Sequence, residues 1–434
     1  MAKEFYFSWQ WDIKSTPEAI SPQDTAMTHQ SSRFEMRKVG ARRPSRRPVT
    51  SRRIALEELE NRCLLAAITW IGSGDKTSWD DSRNWSPALV PGPDDVATIP
   101  TLSPKPTITF PARDLTVKSI DSKANLLLAS NNTLTTIDSF FIRGATFTFN
   151  SGSIANPVKL VNNGSSQPSL AIGASANQAD FIVGGTCSLQ GNVASNQTIW
   201  VDGVLSGGTA TLAVSATSTN AGTIRLESST FIRNSALAVA AGETFTNTGT
   251  ILVTKGDNGG RSLTGNLVNQ GKIAVTGITL TVNGPSLLND LKGLIAGTGR
   301  IDVPNDGTFV NDGMITPGAL GGGTGILTID GRYTQTQNGS IEIEIGGTVP
   351  GTDFDQLHIA EKAIVQGNLK VALPLLNLYV PKVGESFKVL TFAQKNGTLA
   401  YKNLDLGGTL NVGLNAKENP LDLTLTTRSE EHTS

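Results

Sequence analysis

Residues that could carry acid–base chemistry are scarce in this sequence. Histidine occurs three times, and only His358 lies in the body of the chain, two residues after Gln356 on a predicted strand. One interpretation pairs His358 with Asp353 or Asp355 for proton transfer. A plain position on a strand surface is favoured, because short motifs without structural context often match by accident.

Motifs of known catalytic and metal sites are also missing. The chain has neither the GxSxG turn of a serine hydrolase nor the HExxH pair of a zinc protease. The glycine-rich run at 321–325 lacks the Gly-Lys-Ser/Thr ending of a phosphate loop, so it predicts a turn. The second glycine-rich segment, which contains Asp257, also predicts a turn. We therefore predict no catalytic residue, no metal ion and no cofactor.

The composition favours an all-β protein. Gly is frequent at 45 residues and charged residues make up only 17%, while short Val/Ile/Leu/Thr runs are broken by Gly and Asn. Residues 1–53 hold eleven Lys/Arg against five Asp/Glu, and this Pro/Arg/Ser-rich stretch predicts a disordered basic leader. The mildly acidic remainder argues against nucleic acid as a partner. We expect Cys187 to be a small, buried hydrophobic residue.

Residues 54–67 predict a targeting segment. The stretch 56–67 is LEELENRCLLAA, which resembles the short N-terminal export motif of many surface proteins of planctomycete bacteria. That resemblance implies export. A short amphipathic helix packed on the body is the alternative, since the apolar spacing requires no more. Met36 competes with Met1 as the start, and no apolar stretch reaches the ~20 residues that span a bilayer, so we expect no transmembrane segment.

Three Trp residues, Trp70, Trp79 and Trp85, stand close together within residues 68–100. With the following Pro and Asp residues they resemble a module that opens β-helical regions in large secreted bacterial proteins. A stacked fold needs such an N-terminal cap, because its first coil exposes a strand edge and the end of the apolar core. Two alternatives remain: a sugar-stacking platform, and a calcium site built from Asp80, Asp81, Asp94 and Asp95.

A repeat of about 22 residues, apolar-x-Asn-x-Gly-x-Ile, occupies the middle of the chain. Its corner residues in five copies are Asn220 and Gly222, Asn247 and Gly249, Asn269 and Gly271, Asn289 and Gly293, and Asn311 and Gly313. The apolar residues two positions before the Asn are Phe245, Leu267, Leu287 and Phe309, with Ser218 as the exception. The fourth copy carries a two-residue insertion.

Each part of the repeat has a role in a stacked coil. Asn can adopt the left-handed conformation at a tight corner, and stacked Asn amides can hydrogen-bond along the axis as a ladder. Gly can supply a positive φ. The period is too short for a propeller blade, and the charged helical faces of helical repeats are missing. The repeat therefore predicts a right-handed parallel β-helix with one coil per copy.

The C-terminal third resembles the passenger repeats of autotransporter-like β-helical proteins. The likeness rests on ITPG at 315–318, GILTIDGRYTQ at 325–335 and IEIEIGG at 341–347. It implies secretion and a continued β-helix, and it brings no catalytic residues because these repeats are scaffolds. Residues 428–434 resemble a translated sequencing adapter, so we regard them as a suspected non-native tail.

Together these features predict an all-β protein: a right-handed parallel β-helix, or β-solenoid, with a Trp-rich cap and a disordered leader. The segments are the leader (1–53), export motif (54–67), cap (68–100), β-helix (101–330), its continuation (331–427) and the tail (428–434). We expect an extracellular or cell-surface, structural or adhesin-like protein without catalytic activity. The alternatives are a module that binds an extracellular glycan or other surface proteins, and a polysaccharide lyase or hydrolase, for which we find no carboxylate pair repeated at one-coil spacing.

Overall fold

The computed structural model describes residues 67–284, 286–372, 376, 379–406 and 412–429. The predicted leader, nearly all of the predicted export motif and residues 430–434 of the suspected tail lie outside these ranges. Within the described ranges the chain forms strands throughout, with two short 3-10 helices, Ser82–Asn84 and Gly203–Ser206.

The strands alternate with tight turns along the whole described chain. In the N-terminal half they are β1 (Ala67–Trp70), β2 (Trp85–Ser86), β3 (Val96–Ile99), β4 (Thr107–Thr109), β5 (Leu115–Ser122), β6 (Asn125–Leu128), β7 (Thr133–Arg143), β8 (Thr146–Ile154), β9 (Val158–Val161), β10 (Ser169–Ala176), β11 (Ala179–Gly184), β12 (Thr186–Gly191), β13 (Gln197–Asp202), β14 (Ala210–Val214), β15 (Ser218–Asn220), β16 (Thr223–Glu227) and β17 (Ser235–Val239). In the C-terminal half they are β18 (Thr244–Asn247), β19 (Thr250–Thr254), β20 (Arg261–Thr264), β21 (Asn266–Asn269), β22 (Lys272–Thr276), β23 (Thr279–Asn283), β24 (Ser286–Asn289), β25 (Leu294–Gly297), β26 (Arg300–Asn311), β27 (Met314–Pro317), β28 (Ile326–Gln335), β29 (Ser340–Ile343), β30 (Gln356–Val365), β31 (Asn368–Val371), β32 (Ser386–Asn396), β33 (Ala400–Lys402), β34 (Val412–Glu418) and β35 (Asp422–Ser429).

In the repeat region the strands stack in three parallel columns, and each coil contributes one strand to each column. One coil consists of β16 in column 1, β17 in column 2 and β18 in column 3, and the next coil places β19, β20 and β21 directly on these. From β26 onward one long strand serves columns 2 and 3 together. The predicted all-β class and the parallel β-solenoid are therefore confirmed.

The solenoid interior is filled by rows of like residues in register. In column 1 the inward row of the repeat is isoleucine in six consecutive coils: Ile224, Ile251, Ile273, Ile295, Ile315 and Ile341, all fully buried. Column 3 stacks the apolar residues of the repeat, Phe245, Leu267, Leu287 and Phe309, and adds Tyr333. Each buried aliphatic side chain contributes roughly 1.5–3 kcal/mol, so these rows hold successive coils together.

Coil length grows toward the C-terminus. The coils between Ile251 and Ile315 follow the repeat of about 22 residues. Farther along the chain, Ile329 and Ile359 are paired in column 2 but lie 30 positions apart in the sequence. The additional residues lie in turns outside the columns, so the pairing between strands of successive coils is unchanged. A fixed sequence period therefore describes the middle of the solenoid better than its C-terminal coils.

Antiparallel pairs occur at both ends of the parallel ladder. At the N-terminal end β1 pairs with β2 through Trp70 and Trp85. Beyond the last coil, β35 lies antiparallel to β32, and β34 lies antiparallel to β35. The range 331–427 thus continues the parallel ladder as far as β33 and then forms an antiparallel hairpin, which the repeat does not predict.

Candidate functional site: the asparagine ladder and the tryptophan cap

The five repeat asparagines lie inside the corner where column 3 turns into column 1. Asn220, Asn247, Asn269, Asn289 and Asn311 each end a column-3 strand in register with the next, and all five are fully buried. A buried amide needs partners for its donors and acceptor. The stacking supplies them, because each amide faces its copy one coil away.

One continuous chain of hydrogen bonds joins these amides. Nδ2 of Asn220 donates to Oδ1 of Asn247 at 2.7 Å, and the next three steps, ending at Asn311, measure 2.8, 2.7 and 2.7 Å. The same Nδ2 atoms also donate to backbone carbonyls, for example Asn269 to Leu294 at 3.2 Å. All bonds of the ladder point the same way, and Oδ1 of the first member, Asn220, accepts no hydrogen bond.

The repeat glycines serve a different purpose from the one the sequence suggested. None of the five ladder glycines, all of them in the described chain, has a φ in the left-handed region, and neither do the five asparagines. A Cβ on Gly249 would lie 2.1 Å from the carbonyl oxygen of Gly222, and one on Gly271 would lie 2.2 Å from that of Gly249. The predicted left-handed corner is wrong. Gly is needed because the backbones of successive coils approach too closely for a side chain.

The insertion in the fourth copy leaves the ladder unbroken. Asn289 still donates to Asn311, and its Nδ2 also reaches the carbonyl oxygen of Gly293 at 3.2 Å. The additional residues bulge outward, which leaves Leu291 65% exposed. The spacing between Asn and Gly can therefore change without loss of the amide contact.

Sequence reasoning missed the C-terminal end of the ladder. Nδ2 of Asn311 lies 3.3 Å from Oε1 of Gln335, which is fully buried, and Nε2 of Gln335 donates to the carbonyl oxygen of Gln366 at 2.6 Å. The hydroxyl of Tyr333 donates to the same Oε1 at 2.9 Å. The signal was present, since Tyr333 and Gln335 have the spacing of the apolar residue and Asn in the repeat.

Arg261 is a second buried polar residue that the sequence did not reveal. It is 1% exposed, and its guanidinium donates to backbone carbonyls of Thr254, Lys255, Arg233 and others at 2.8–3.3 Å. Burial lowers the pKa of Arg261. The guanidinium thus donates hydrogen bonds to backbone carbonyl groups in two turns, the one between β19 and β20 and the corresponding turn one coil earlier.

The three tryptophans close the N-terminal end of the core. Trp70 packs edge-on against Trp85 at a centroid distance of 4.9 Å, and Trp79 packs against Trp85 at 4.8 Å. Trp79 also contacts Phe110 at 4.9 Å, and Nε1 of Trp85 donates to the carbonyl oxygen of Trp79 at 2.8 Å. None of the three indoles is more than 1% exposed, so the sugar-stacking alternative is wrong: no ring face is open to a ligand.

Asn84 organises the turn between the tryptophans and was not singled out from the sequence. It is fully buried. Its Oδ1 accepts from the backbone of Gly74 and Lys76, and its Nδ2 donates to Asp75 and to the carbonyl oxygen of Ser78. All four hydrogen bonds are 3.1 Å or shorter, so one side chain fixes the loop that carries Trp79.

Four carboxylates were considered for calcium, those of Asp80, Asp81, Asp94 and Asp95. Arginines or backbone N–H groups hold three of them, Asp80, Asp81 and Asp95. Asp80 pairs with Arg113 at 2.7 Å and Asp81 with Arg83 at 2.9 Å, and Arg83 lowers the pKa of Asp81 to about 2. Asp95 accepts from the backbone of Gly92. The described residues contain no group of three or more His, Cys, Asp or Glu that could hold a metal ion.

The carboxylates near His358 do not form an acid–base pair with it. His358 Nδ1 lies 2.6 Å from Oγ1 of Thr391 on the neighbouring coil, while Asp353 accepts from the backbone of its own turn. Asp355 is fully buried and accepts from the backbone N–H groups of Gly325 and Glu344, both at 2.9 Å. Burial raises the pKa of Asp355 to about 8. Asp355 thus ties the glycine-rich turn before β28 to the end of β29.

Comparisons with known proteins add no family to these observations. In the described part of the chain, no helix has the length and apolar character needed to cross a bilayer. A scan against protein-family models finds no match. A search of curated proteins finds no matching relative. The assignment that stands is to a fold: this chain is a β-solenoid with an asparagine ladder inside one corner and a tryptophan cap at its N-terminal end.

Proposed function

We propose that this protein is an exported structural scaffold that displays its outward faces at or beyond the cell surface and performs no catalysis. The observation that carries the proposal is the unbroken ladder from Asn220 to Gln335, together with the stacked isoleucine row beside it. Both lie buried inside the solenoid. They contribute to rigidity rather than to chemistry.

The mechanism is geometric. Adjacent coils lie about 4.8 Å apart, and each contact repeats along the axis, so many weak interactions add up to a stiff body. Buried amides that pair with their copies on the next coil also specify register, because a slip by one residue would leave each amide unpaired against apolar neighbours. The outward side chains are then held in straight rows, which suits display or adhesion.

Export rests on the motif at 54–67 and on the resemblance to passenger repeats. We test it in the source organism with the full chain carrying an epitope tag in the exposed turn at 321–322. Protease added to intact cells should remove the tag while a cytosolic marker survives. A tag that becomes accessible only after lysis would contradict export.

The non-catalytic part has its own test. The purified full chain is incubated with pectin, alginate and xylan, and new reducing ends and unsaturated products are measured. We expect none above a heat-denatured control. Release that depends on the folded protein would overturn this part of the proposal and favour the lyase or hydrolase alternative.

A further inference from the structure

We propose that a groove on the outer side of the ladder corner, in the C-terminal coils, binds a neutral glycan. The groove has a volume of about 540 Å³, within the range of small-molecule sites. Three consecutive coils line it with two glycines and the residues Gln337, Gln366, Asn368, Thr398, Leu399 and Ala400. The proposal goes beyond the scaffold role because it assigns the solenoid a ligand.

The groove arises because the corners of these coils differ in length. Between β28 and β29 the corner spans residues 336–339, and between β32 and β33 it spans 397–399, but between β30 and β31 it spans only 366–367. The short corner is therefore recessed between two longer ones. On the column-1 side, Asn368 pairs in register with the small residue Ala400, which leaves room beside its carboxamide.

The side chains in the recess are free to bind a ligand. The carboxamides of Gln337, Gln366 and Asn368 and the hydroxyl of Thr398 have no hydrogen-bond partner within the described ranges. By contrast, the carboxamide of Gln335, which ends the ladder just before the first of these corners, is paired. Backbone atoms of the same corners are already bonded, for example Asn368 N to Gly339 O at 2.9 Å. The recess thus offers several unused donors and acceptors on a rigid frame.

The chemistry of these groups favours a neutral polyhydroxylated ligand. No lining residue is charged, so an anionic or cationic ligand would find no counter-charge. A carboxamide both donates and accepts, which matches a pair of neighbouring sugar hydroxyls that each do the same.

The test is affinity electrophoresis of the purified full chain in native gels that contain one soluble polysaccharide each. The neutral probes are xyloglucan, arabinoxylan, galactomannan and dextran, and the charged probe is polygalacturonate. We expect retardation by at least one neutral probe and none by polygalacturonate. Replacing Gln366→Ala and Asn368→Ala together should weaken that binding at least about tenfold, since each lost pair of hydrogen bonds is typically worth that factor.

Two controls make the outcome decisive. Gln190→Ala removes an exposed carboxamide elsewhere and should leave retardation unchanged. Gln337→Ala alters only the exposed turn and should weaken binding even if the double variant folds poorly, which circular dichroism will show. The proposal is overturned if no neutral probe retards the protein, if only polygalacturonate does, or if Gln337→Ala binds as well as Gln190→Ala.

Discussion

Removing one amide from the middle of the ladder should destabilise the solenoid far more than its size suggests. Asn269 accepts from Asn247 at 2.8 Å and donates to Asn289 at 2.7 Å. Asn269→Ala deletes both bonds, each worth about 1 kcal/mol, and leaves Oδ1 of Asn289 buried without a donor at a cost of about 1–3 kcal/mol. We expect a total loss of about 3–5 kcal/mol.

The matched control lies on the same strand. Asn266 carries the same side chain on the outward face, and its one side-chain bond, to the carbonyl oxygen of Glu243, is long at 3.3 Å. Asn266→Ala should therefore cost no more than about 0.5 kcal/mol. Asn269→Asp adds a further comparison, because it keeps the volume of Asn269 but cannot donate while ionised.

The assay combines urea unfolding, followed by circular dichroism, with hydrogen exchange read by mass spectrometry. The local measurement is needed because stacked coils can open piecewise. Peptides covering β22 and β25 should exchange faster in Asn269→Ala than in Asn266→Ala, and the urea midpoint should fall. Equal midpoints and equal exchange in the two variants would refute the reasoning that the buried amides stabilise the coils.

Three further predictions concern the core, the cap and pH. Leu267→Asp buries a charge between stacked apolar residues and should unfold neighbouring coils, whereas exposed Lys272→Ala should be nearly silent; equal melting temperatures would contradict the register. Trp85→Phe keeps a buried ring but leaves the carbonyl oxygen of Trp79 unpaired, so thermal unfolding should show a loss of about 1–2 kcal/mol. Because the folded pKa of Asp355 is about 8, above the ordinary value of 3.8, its contribution to stability is complete below about pH 4 and is lost as pH rises through 8. In Asp355→Asn, the urea midpoint should therefore fall less as the pH rises from about 4 to 8 than it does in the unchanged protein. An unchanged dependence of the midpoint on pH would contradict this role of Asp355.

The sequence predicts the repeat region well because each residue type there has one structural role. Isoleucine rows and Asn copies at constant spacing define the inward faces and the corner, and they place Asn247 on Asn269 without any knowledge of coordinates. The role of Gly249 could not be derived in the same way. Its constraint comes from the backbone of another coil, and the spacing of residues along the sequence carries no information about how closely two coils approach.

The features that were missed depend on contacts between segments with different sequences. Gln335 continues the ladder with a longer side chain, so a search for Asn does not find it. Arg261 and Asp355 are charged residues that sequence patterns place on the surface, but irregular turns bury them and satisfy them with backbone groups. The proposed groove likewise depends on corner lengths in three coils, which only alignment in space reveals.

The coils of the solenoid stack in register, one strand spacing at a time. The outward residues of column 3 form one row along the solenoid, and this row includes Thr219, Val310, Thr334 and Ile364. Val310, Thr334 and Ile364 lie four, five and six coils away from Thr219. Spin labels at cysteines introduced pairwise, always with Thr219, measure this directly by double electron–electron resonance. Burial raises the pKa of the native Cys187 thiol to about 12, so it should stay unlabelled, and Cys63 is replaced by serine.

The solenoid predicts mean distances from Thr219 of about 19, 24 and 29 Å to Val310, Thr334 and Ile364, because four, five and six levels of ~4.8 Å separate them. The increments should be equal although the sequence separations are not. Distances that fail to rise by one strand spacing per coil would contradict the stacked architecture and the functions proposed from it.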